Sequence, residues 1–298
     1  MTNSGAPFFP TTLPIGTIGD LLAGCAAMLE SEGVAEPQRE AREIVAAVLD
    51  VPKFWAAANA VADASPQVAR SVIRAAMKRA GGMPLAYAVG RASFRHLTLE
   101  VDERVLIPRV ETEVLVERVL EHCSPKTRTI ADIGTGSGAI ALSLAFEGAF
   151  ERVFATDVSL DAINVATANA ASLSKGLQSP VVFRHGSLLA PLRGEKLDVI
   201  VCNPPYISFA EIGELPADVR DWEPSVALLC AQDGLSVTRE LIHQAPDVIA
   251  SGGLLALEVD TVRAGTVAET IAVDGRYAEI EVLLDLTGRE RFVFARRV

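Results

Sequence analysis

The stretch Asp-Val-Ile-Val-Cys-Asn-Pro-Pro-Tyr, residues 198–206, has the pattern of a buried strand that ends at a rigid turn. The apolar run at 199–202 suits a strand covered on both faces. Pro204 and Pro205 remove two backbone donors and exclude helix, so the turn is stiff. Asn203 and Tyr206 are therefore expected at the carboxyl end of a strand, where open α/β sheets bind their ligands. A rigid turn that only closes a core strand is the structural alternative.

These turn residues can hold a planar –NH2 group. The Asn203 side-chain oxygen and the Pro204 carbonyl can accept its two hydrogens, while the Tyr206 ring packs on its face. Such a pocket would hold an amide or amino-aromatic nitrogen with its lone pair directed at an electrophile.

A glycine-rich turn marks a second candidate site upstream. The predicted strand 130–133 is followed by Gly-Thr-Gly-Ser-Gly at 134–138 and by a predicted helix over 139–147. Glycines let the backbone approach a ligand closely, and a helix amino terminus offers unsatisfied N–H donors. Dinucleotide-binding folds use a similar turn, although the spacing here is GxGxG rather than GxGxxG.

The next predicted strand, 152–156, ends in Asp157, which lies 25 residues after Asp132. An acidic side chain at this strand tip is placed to accept both hydroxyls of a ribose, which fits an adenosyl group. Leu188 follows the third predicted strand, 180–184, and is expected near an adenine ring. The alternation of strands and helices from Thr129 onward predicts a parallel sheet wrapped by helices.

Three segments of different character divide the chain. Residues 1–82 predict a small all-helical domain after a loose tail at 1–14, with a capping box at Thr17 and Asp20. This domain is either a recognition module or a structural cap. Residues 83–108 interleave apolar and polar side chains and predict a linking β-hairpin. The third segment, 109–298, begins with a predicted helix over 110–122 and carries the strand–helix series.

The composition narrows the classes of partner. The 298-residue chain has a net charge of −11, and phosphate backbones repel an acidic chain, so nucleic acid is not expected as the main partner. It has no apolar run of membrane-spanning length and no basic amino-terminal region, so neither a membrane span nor a signal peptide is expected. The four cysteines and four histidines are scattered, which predicts reduced thiols, a cytoplasmic location and no metal site. We expect a monomer.

The glycine turn, Asp157 and the Asn-Pro-Pro-Tyr turn together resemble class I S-adenosylmethionine-dependent methyltransferases of the amino-group type. More narrowly, the chain resembles the HemK/PrmC family through Pro84–Tyr87 with Gly90, residues 105–113, Trp222–Pro224 and Asp233–Leu235. That family methylates the side-chain amide of the glutamine in the GGQ loop of peptide chain release factors. The resemblance implies an α/β fold with a Rossmann-like seven-stranded sheet, six strands parallel and the last antiparallel. Residues 278–284 and 291–295 would supply its final strands.

The resemblance also assigns roles residue by residue. The catalytic residues would be Asn203, Pro204 and Tyr206. The substrate would be held by the same three side chains with Pro205, while Arg109, Glu111 and Thr112 would shape the cleft wall. S-adenosylmethionine, released as S-adenosylhomocysteine, would be bound by Asp132, Ile133, Gly134, Thr135, Gly136, Gly138, Asp157, Leu188 and Asn203. A peptide chain release factor would be the protein partner.

Several residues depart from the family pattern. Val110 stands where proline is usual, Leu229–Gln232 replace a glycine-containing segment, and Asp260 and Arg263 replace a glycine and a glutamine. These departures leave open the same chemistry on a small-molecule amine or amide. Adenine in nucleic acid is a weaker alternative, because it would require a basic groove and a base-flipping pocket. A third alternative is a binder that keeps the fold without catalysis, which the intact Asn-Pro-Pro-Tyr turn disfavours.

Overall fold

The computed structural model describes residues 16–231 and 233–298, which fall into two compact units. The first unit ends at Gly90 and the second comprises Arg91–Val298. The loose tail expected at 1–14 lies outside the described residues. Within the part of the chain that the structure describes, no helix has the length and apolar character needed to cross a membrane.

The first unit is built from helices. They are α1 (Ile18–Ser31), α2 (Pro37–Leu49), α3 (Trp55–Ala58), α4 (Pro66–Ala80) and α5 (Leu85–Val89). The predicted capping box starts α1, since the Thr17 hydroxyl accepts from the Asp20 amide and the Asp20 carboxylate accepts from the Thr17 amide. Leu29, Ile44 and Val72 belong to its buried core. The helical character predicted for this region follows from these caps and apolar stripes.

The region predicted as a linker, 83–108, is divided between the two units. Its first part forms α5 in the first unit. Strands β1 (Arg91–Phe94) and β2 (Leu97–Glu100) then pair as the expected antiparallel hairpin, in the second unit. The boundary differs from the predicted one because Phe94, Leu97 and Leu99 are buried in the second unit's core. Apolar burial thus assigns the hairpin to the domain that follows it.

The second unit alternates strands and helices, as predicted. Its helices are α6 (Val110–His122), α7 (Ala139–Glu147), α8 (Leu160–Leu173), α9 (Ala217–Trp222), α10 (Ser225–Leu228), α11 (Ser236–Gln244) and α12 (Ala264–Asp274). Its further strands are β3 (Thr129–Ile133), β4 (Arg152–Asp157), β5 (Val181–His185), β6 (Leu197–Cys202), β7 (Ile207–Ser208), β8 (Leu229–Cys230), β9 (Ile249–Glu258), β10 (Tyr277–Leu284) and β11 (Glu290–Arg297). Short 3₁₀ helices occupy Ala190–Leu192, Phe209–Glu214 and Ala245–Asp247.

Seven of these strands form one sheet in the order β10-β11-β9-β6-β3-β4-β5. β11 is antiparallel to both of its neighbours, whereas the ladders from β9 to β5 are parallel. The predicted seven-stranded sheet with one antiparallel strand is therefore confirmed. Ile133 pairs with Thr156 on β4 and with Cys202 on β6, so three neighbouring strands end at the same level.

Helices bury both faces of this sheet. Alternate β6 side chains divide between two clusters, with Val199 and Val201 on the face covered by α6 and α7. Ile200 and Cys202 pack on the opposite face with α11 and α12. Apolar burial is the main contribution to the stability of the fold, and close-packed interiors are rigid. The packed strands therefore fix the positions of the ends of β3, β4 and β6.

Candidate active site

Asp132, near the end of β3, stabilises the glycine turn that follows this strand. This side chain is fully buried, and its Oδ2 accepts from the Thr135 hydroxyl at 2.7 Å and from the Ala141 amide at 3.1 Å. Burial raises the pKa of Asp132 to about 7, although these two hydrogen bonds oppose the shift. Its Oδ1 is buried and has no hydrogen-bond partner among the described residues. Asp132 therefore fixes the conformation of the turn through Oδ2, while its Oδ1 stays available to accept a hydrogen bond.

Asp157, at the tip of β4, is bound to the same turn. Its Oδ2 accepts from the Gly136 amide at 2.9 Å, and its Oδ1 accepts from the Ser159 amide at 2.8 Å. Burial raises the pKa of Asp157, and these backbone donors oppose that rise. Each carboxylate oxygen has a further lone pair, so the fixed carboxylate can accept two additional hydroxyl donors.

Two glycines of the turn face different surroundings. Gly136 has φ +55°, and a Cβ built on it meets no atom within 4 Å, so its backbone is exposed to open space. Gly138 has φ +86°, and a Cβ there would lie 2.9 Å from Leu142 Cδ1 and 3.2 Å from Ala166 Cβ. Gly136 thus leaves room for a ligand, whereas Gly138 permits the packing of α7 against α8.

A single cavity of about 410 Å³ connects these elements. That volume is within the roughly 300–1,000 Å³ range of small-molecule sites. The predicted site residues that line it are Ile133, Gly134, Gly136, Asp157, Leu188, Asn203, Pro204 and Pro205. The structure thus brings the glycine turn, the acidic strand tip and the Asn-Pro-Pro segment together at the carboxyl end of the sheet, as the sequence predicts.

The other predicted site residues contribute no lining to this cavity within the described part of the chain. They are Asp132, Thr135, Gly138, Tyr206, Arg109, Glu111 and Thr112. Asp132 and Thr135 support the turn from beneath, and Gly138 packs against α8. The Arg109 guanidinium donates to Glu223 Oε1 at 2.6 Å, and the Ile107 amide donates to Glu223 Oε2 at 3.2 Å. Arg109 therefore holds the segment before α6 against Glu223, whereas the Glu111 side chain is exposed.

The Asn-Pro-Pro-Tyr turn follows β6 directly. The Asn203 side-chain amide donates through Nδ2 to the Thr112 hydroxyl at 3.1 Å, and its Oδ1 accepts no hydrogen bond from the described residues. Burial raises the pKa of Tyr206 to about 12, so its hydroxyl is neutral at physiological pH. The donor atom of the amide is thus directed to Thr112, and the role of Asn203 as an acceptor for the substrate remains a prediction.

The remaining wall of the cavity was missed by the sequence reasoning. It includes Arg104–Leu106 and, further along the chain, Pro224, Val226, Ala227, Leu229, Ser236, Val237 and Glu240. The sequence signals near this wall were the family-like motifs at 105–113, Trp222–Pro224 and Asp233–Leu235, and the departure at Leu229–Gln232. None of these signals predicted that α10 and α11 would face the glycine turn.

Two of the residues that depart from the family pattern, Asp260 and Arg263, belong to one local ion-pair cluster. The Arg263 guanidinium binds Asp260 and Glu211 at 2.6 Å each. Its Nε also donates to the Asp233 carbonyl at 2.8 Å. Asp260 and Arg263 therefore compensate each other, and they connect α12 to the 3₁₀ helix that follows the Asn-Pro-Pro-Tyr turn.

Comparison with known proteins agrees with this geometry. The description "Methyltransferase small domain" matches residues 110–214, and "PrmC N-terminal domain" matches residues 20–90. A release factor glutamine methyltransferase from Moorella thermoacetica is 42% identical over 282 residues, which cover 94% of this chain and 99% of that protein. This chain belongs to the release factor glutamine methyltransferase family. A member from Deinococcus radiodurans is 37% identical and covers 93% of this chain and 98% of its own length.

Solved structures share the fold of this family member. The hMettl16 catalytic domain in complex with MAT2A 3′UTR hairpin 1 aligns with a TM-score of 0.54 and covers 80% of this chain and 84% of that chain. At 19% identity this likeness concerns the fold alone. It agrees with the class I methyltransferase architecture predicted from the sequence.

Proposed function

We propose that this protein transfers a methyl group from S-adenosylmethionine to the side-chain amide nitrogen of a glutamine in a peptide chain release factor, at the GGQ loop. The observation that carries the proposal is that Asn203, with a free amide oxygen, and Asp157, with a fixed carboxylate, line one cavity. One side chain suits a substrate –NH2 group and the other suits a ribose diol. The family membership of nearly the whole chain supports the same reaction.

The cofactor half of the cavity fits an adenosyl group with a methionine tail. Asp157 would accept from the ribose hydroxyls, and Leu188 would pack on the adenine ring. Ile133, Gly134 and Gly136 would border the methionine part, with Asp132, Thr135 and Gly138 fixing the shape of the turn. When bound, S-adenosylmethionine supplies an electrophilic methyl group on a sulfonium that is already a good leaving group, and S-adenosylhomocysteine is the product. The chain's contribution is therefore mainly positioning and exclusion of water.

The substrate half orients a poor nucleophile. An amide nitrogen is weakly nucleophilic because its lone pair is delocalised. Asn203 Oδ1 and the Pro204 carbonyl would accept the two amide hydrogens, which raises electron density on nitrogen and fixes its direction of approach. Pro205 stiffens the turn, and Tyr206 would pack against the amide. The turn contains no carboxylate or histidine to act as a base, so the proton would leave after transfer, when the nitrogen has become acidic.

The choice of a release factor as the methyl acceptor is supported by the family membership and by the net charge of the chain. Relatives named for release factor glutamine methylation match almost the full length of the chain, so the small-molecule and nucleic-acid alternatives are not favoured. A net charge of −11 also disfavours a phosphate backbone as the partner. A cytoplasmic location would suit the four free cysteines.

The experiment that tests the proposal compares wild-type protein with Asn203→Ala, with a purified release factor as acceptor. We expect Asn203→Ala to abolish methyl transfer, because it removes an acceptor for the substrate amide. The affinity for S-adenosylmethionine, measured by calorimetry, should stay close to the wild-type value, because Asn203 is only one of nine residues expected to bind it and the other eight are unchanged. Persistent turnover in Asn203→Ala would refute the role given to this residue.

A further inference from the structure

The orientation of the Asn203 amide decides whether it can receive a substrate –NH2 group. The oxygen and nitrogen of a carboxamide have nearly the same shape, so only hydrogen-bond partners select between the two orientations. If the amide flipped, its NH2 group would face the substrate hydrogens and repel them. The hydrogen bond from Asn203 Nδ2 to the Thr112 hydroxyl at 3.1 Å favours the productive orientation.

A hydroxyl can both accept and donate, so Thr112 alone does not settle the orientation. If its hydrogen were free, the hydroxyl could donate to Asn203 Oδ1 and select the flipped amide instead. The Thr112 hydroxyl must therefore be committed as a donor elsewhere. Thr112 lies in the first turn of α6 and is only 5% exposed, so a protein group has to accept that hydrogen.

Sheet register supplies the acceptor. Cys202 on β6 pairs with Leu257 on β9, so the next residues, Asn203 and Glu258, are neighbours. Side chains alternate between the faces of a strand. Val201 and Ala256 belong to the cluster on the α6 face, so Asn203 and Glu258 are directed to that same face, where Thr112 lies.

Glu258 has the properties of a dedicated acceptor. It is 1% exposed. Burial raises the pKa of its carboxyl group to about 7, and a side-chain hydrogen bond with Thr112 opposes that rise. Its Oε2 has no hydrogen-bond partner among the described residues. Smaller effects on this pKa come from nearby charges: Arg291 and Arg109 lower it and favour the ionised carboxylate, whereas Glu111 raises it. Burial of a carboxyl group is costly, so its place beside Thr112 and Asn203 calls for a functional reason.

We propose that Thr112 and Glu258 are positioning residues that orient the Asn203 amide for catalysis. Glu258 accepts the Thr112 hydrogen, the Thr112 oxygen therefore accepts from Asn203 Nδ2, and Asn203 Oδ1 faces the substrate. This inference rests on the proposed function, because it concerns how the same site recognises the substrate amide.

Two matched pairs of variants test the inference. Thr112→Val removes the hydroxyl and keeps the shape, whereas Thr112→Ser keeps the hydroxyl. Glu258→Leu removes the acceptor, whereas Glu258→Gln keeps a carbonyl oxygen that can accept. For Thr112→Val and Glu258→Leu we expect kcat on a release factor to fall roughly 10- to 100-fold, as misplacement of a group at a reacting centre does. Thr112→Ser and Glu258→Gln should restore much of that loss relative to their partners.

Three readouts separate orientation from general damage. The affinity for S-adenosylmethionine by calorimetry and the thermal unfolding midpoint should stay near wild type in all variants that retain Asn203. Wild-type kcat in Thr112→Val, or equal losses in Thr112→Ser and Thr112→Val, would overturn the inference. A loss of cofactor affinity in parallel with kcat would overturn it as well. If either apolar variant fails to fold, the other pair decides. Absence of methyl transfer by the wild-type protein would overturn the proposed function itself, and this inference with it.

Discussion

Alanine substitutions at Gly136 and Gly138 should have different main effects, although the two glycines are only two residues apart. Gly136→Ala should mainly weaken cofactor binding, whereas Gly138→Ala should mainly destabilise the fold. Both have positive φ, so each alanine should cost about 1–2 kcal/mol of backbone strain. At Gly136 the new Cβ meets no protein atom within 4 Å. At Gly138 it would lie 2.9 Å from Leu142 and 3.2 Å from Ala166, both in packed helices. Overpacking of this kind adds about 1–3 kcal/mol.

The expected free energies of unfolding follow from these contributions. Gly136→Ala should lower the free energy of unfolding by about 1–2 kcal/mol, and Gly138→Ala by about 2–5 kcal/mol. Cofactor binding should change in the opposite order. The Gly136 methyl would enter the cavity and weaken S-adenosylmethionine binding by about tenfold or more, since the backbone there has to approach the ligand. The Gly138 methyl is directed into the helix packing, so folded Gly138→Ala should keep most of its affinity.

Urea denaturation followed by circular dichroism, without cofactor, measures the first quantity, and titration calorimetry measures the second. Each variant is the control for the other, because both carry the same change of side chain in the same turn. The reasoning would be refuted by wild-type cofactor affinity in Gly136→Ala. It would also be refuted if Gly138→Ala were no less stable than Gly136→Ala.

Three further substitutions probe the rest of the site. Asp157→Asn replaces one of two acceptor oxygens with a donor and should weaken cofactor binding roughly 10- to 100-fold by calorimetry, so an unchanged affinity would contradict the ribose assignment. The pKa of Asp132 is raised by burial to about 7, so its contribution to stability is fully present below about pH 4 and is lost as pH rises through about 7. Asp132→Asn should therefore reduce the fall in urea midpoint between about pH 5 and pH 8, and an identical pH profile would count against the buried carboxyl. Arg263→Gln removes two ion pairs beside the Asn-Pro-Pro-Tyr turn and should raise the KM for the release factor while leaving cofactor affinity unchanged; the reverse pattern would place Arg263 with the cofactor instead.

Much of the fold was predictable because local patterns determine it. The helices over 110–122 and 139–147 have the bounds that their periodicity predicts. The strands that lead to Asp157 and Asn203 were recognised by apolar runs that end in polar residues. The number of strands and the single antiparallel strand came only from the family resemblance, and the order of strands in the sheet was not predicted, because it is not a local property.

The parts that escaped prediction depend on contacts between distant residues. Thr112 and Asn203 are 91 residues apart, and no spacing rule connects a first-turn threonine of α6 with the end of β6. Glu258 reaches the same place only through the register of β9 on β6. Glu223 likewise binds Arg109 from across 114 residues. Residues 85–89 were placed in a hairpin region, although Pro84 and Gly90 bound a short helix there.

The most direct test of the central claim is methyl transfer from labelled S-adenosylmethionine to a purified release factor, with a variant of that factor whose GGQ glutamine is alanine as the matched control. We predict label on the wild-type factor and none on the variant, because we propose that Asn203 and Pro204 hold the –NH2 group of that glutamine. Equal labelling of both factors would place the methyl group elsewhere. No labelling of either, with cofactor still bound by calorimetry, would contradict the release factor as acceptor.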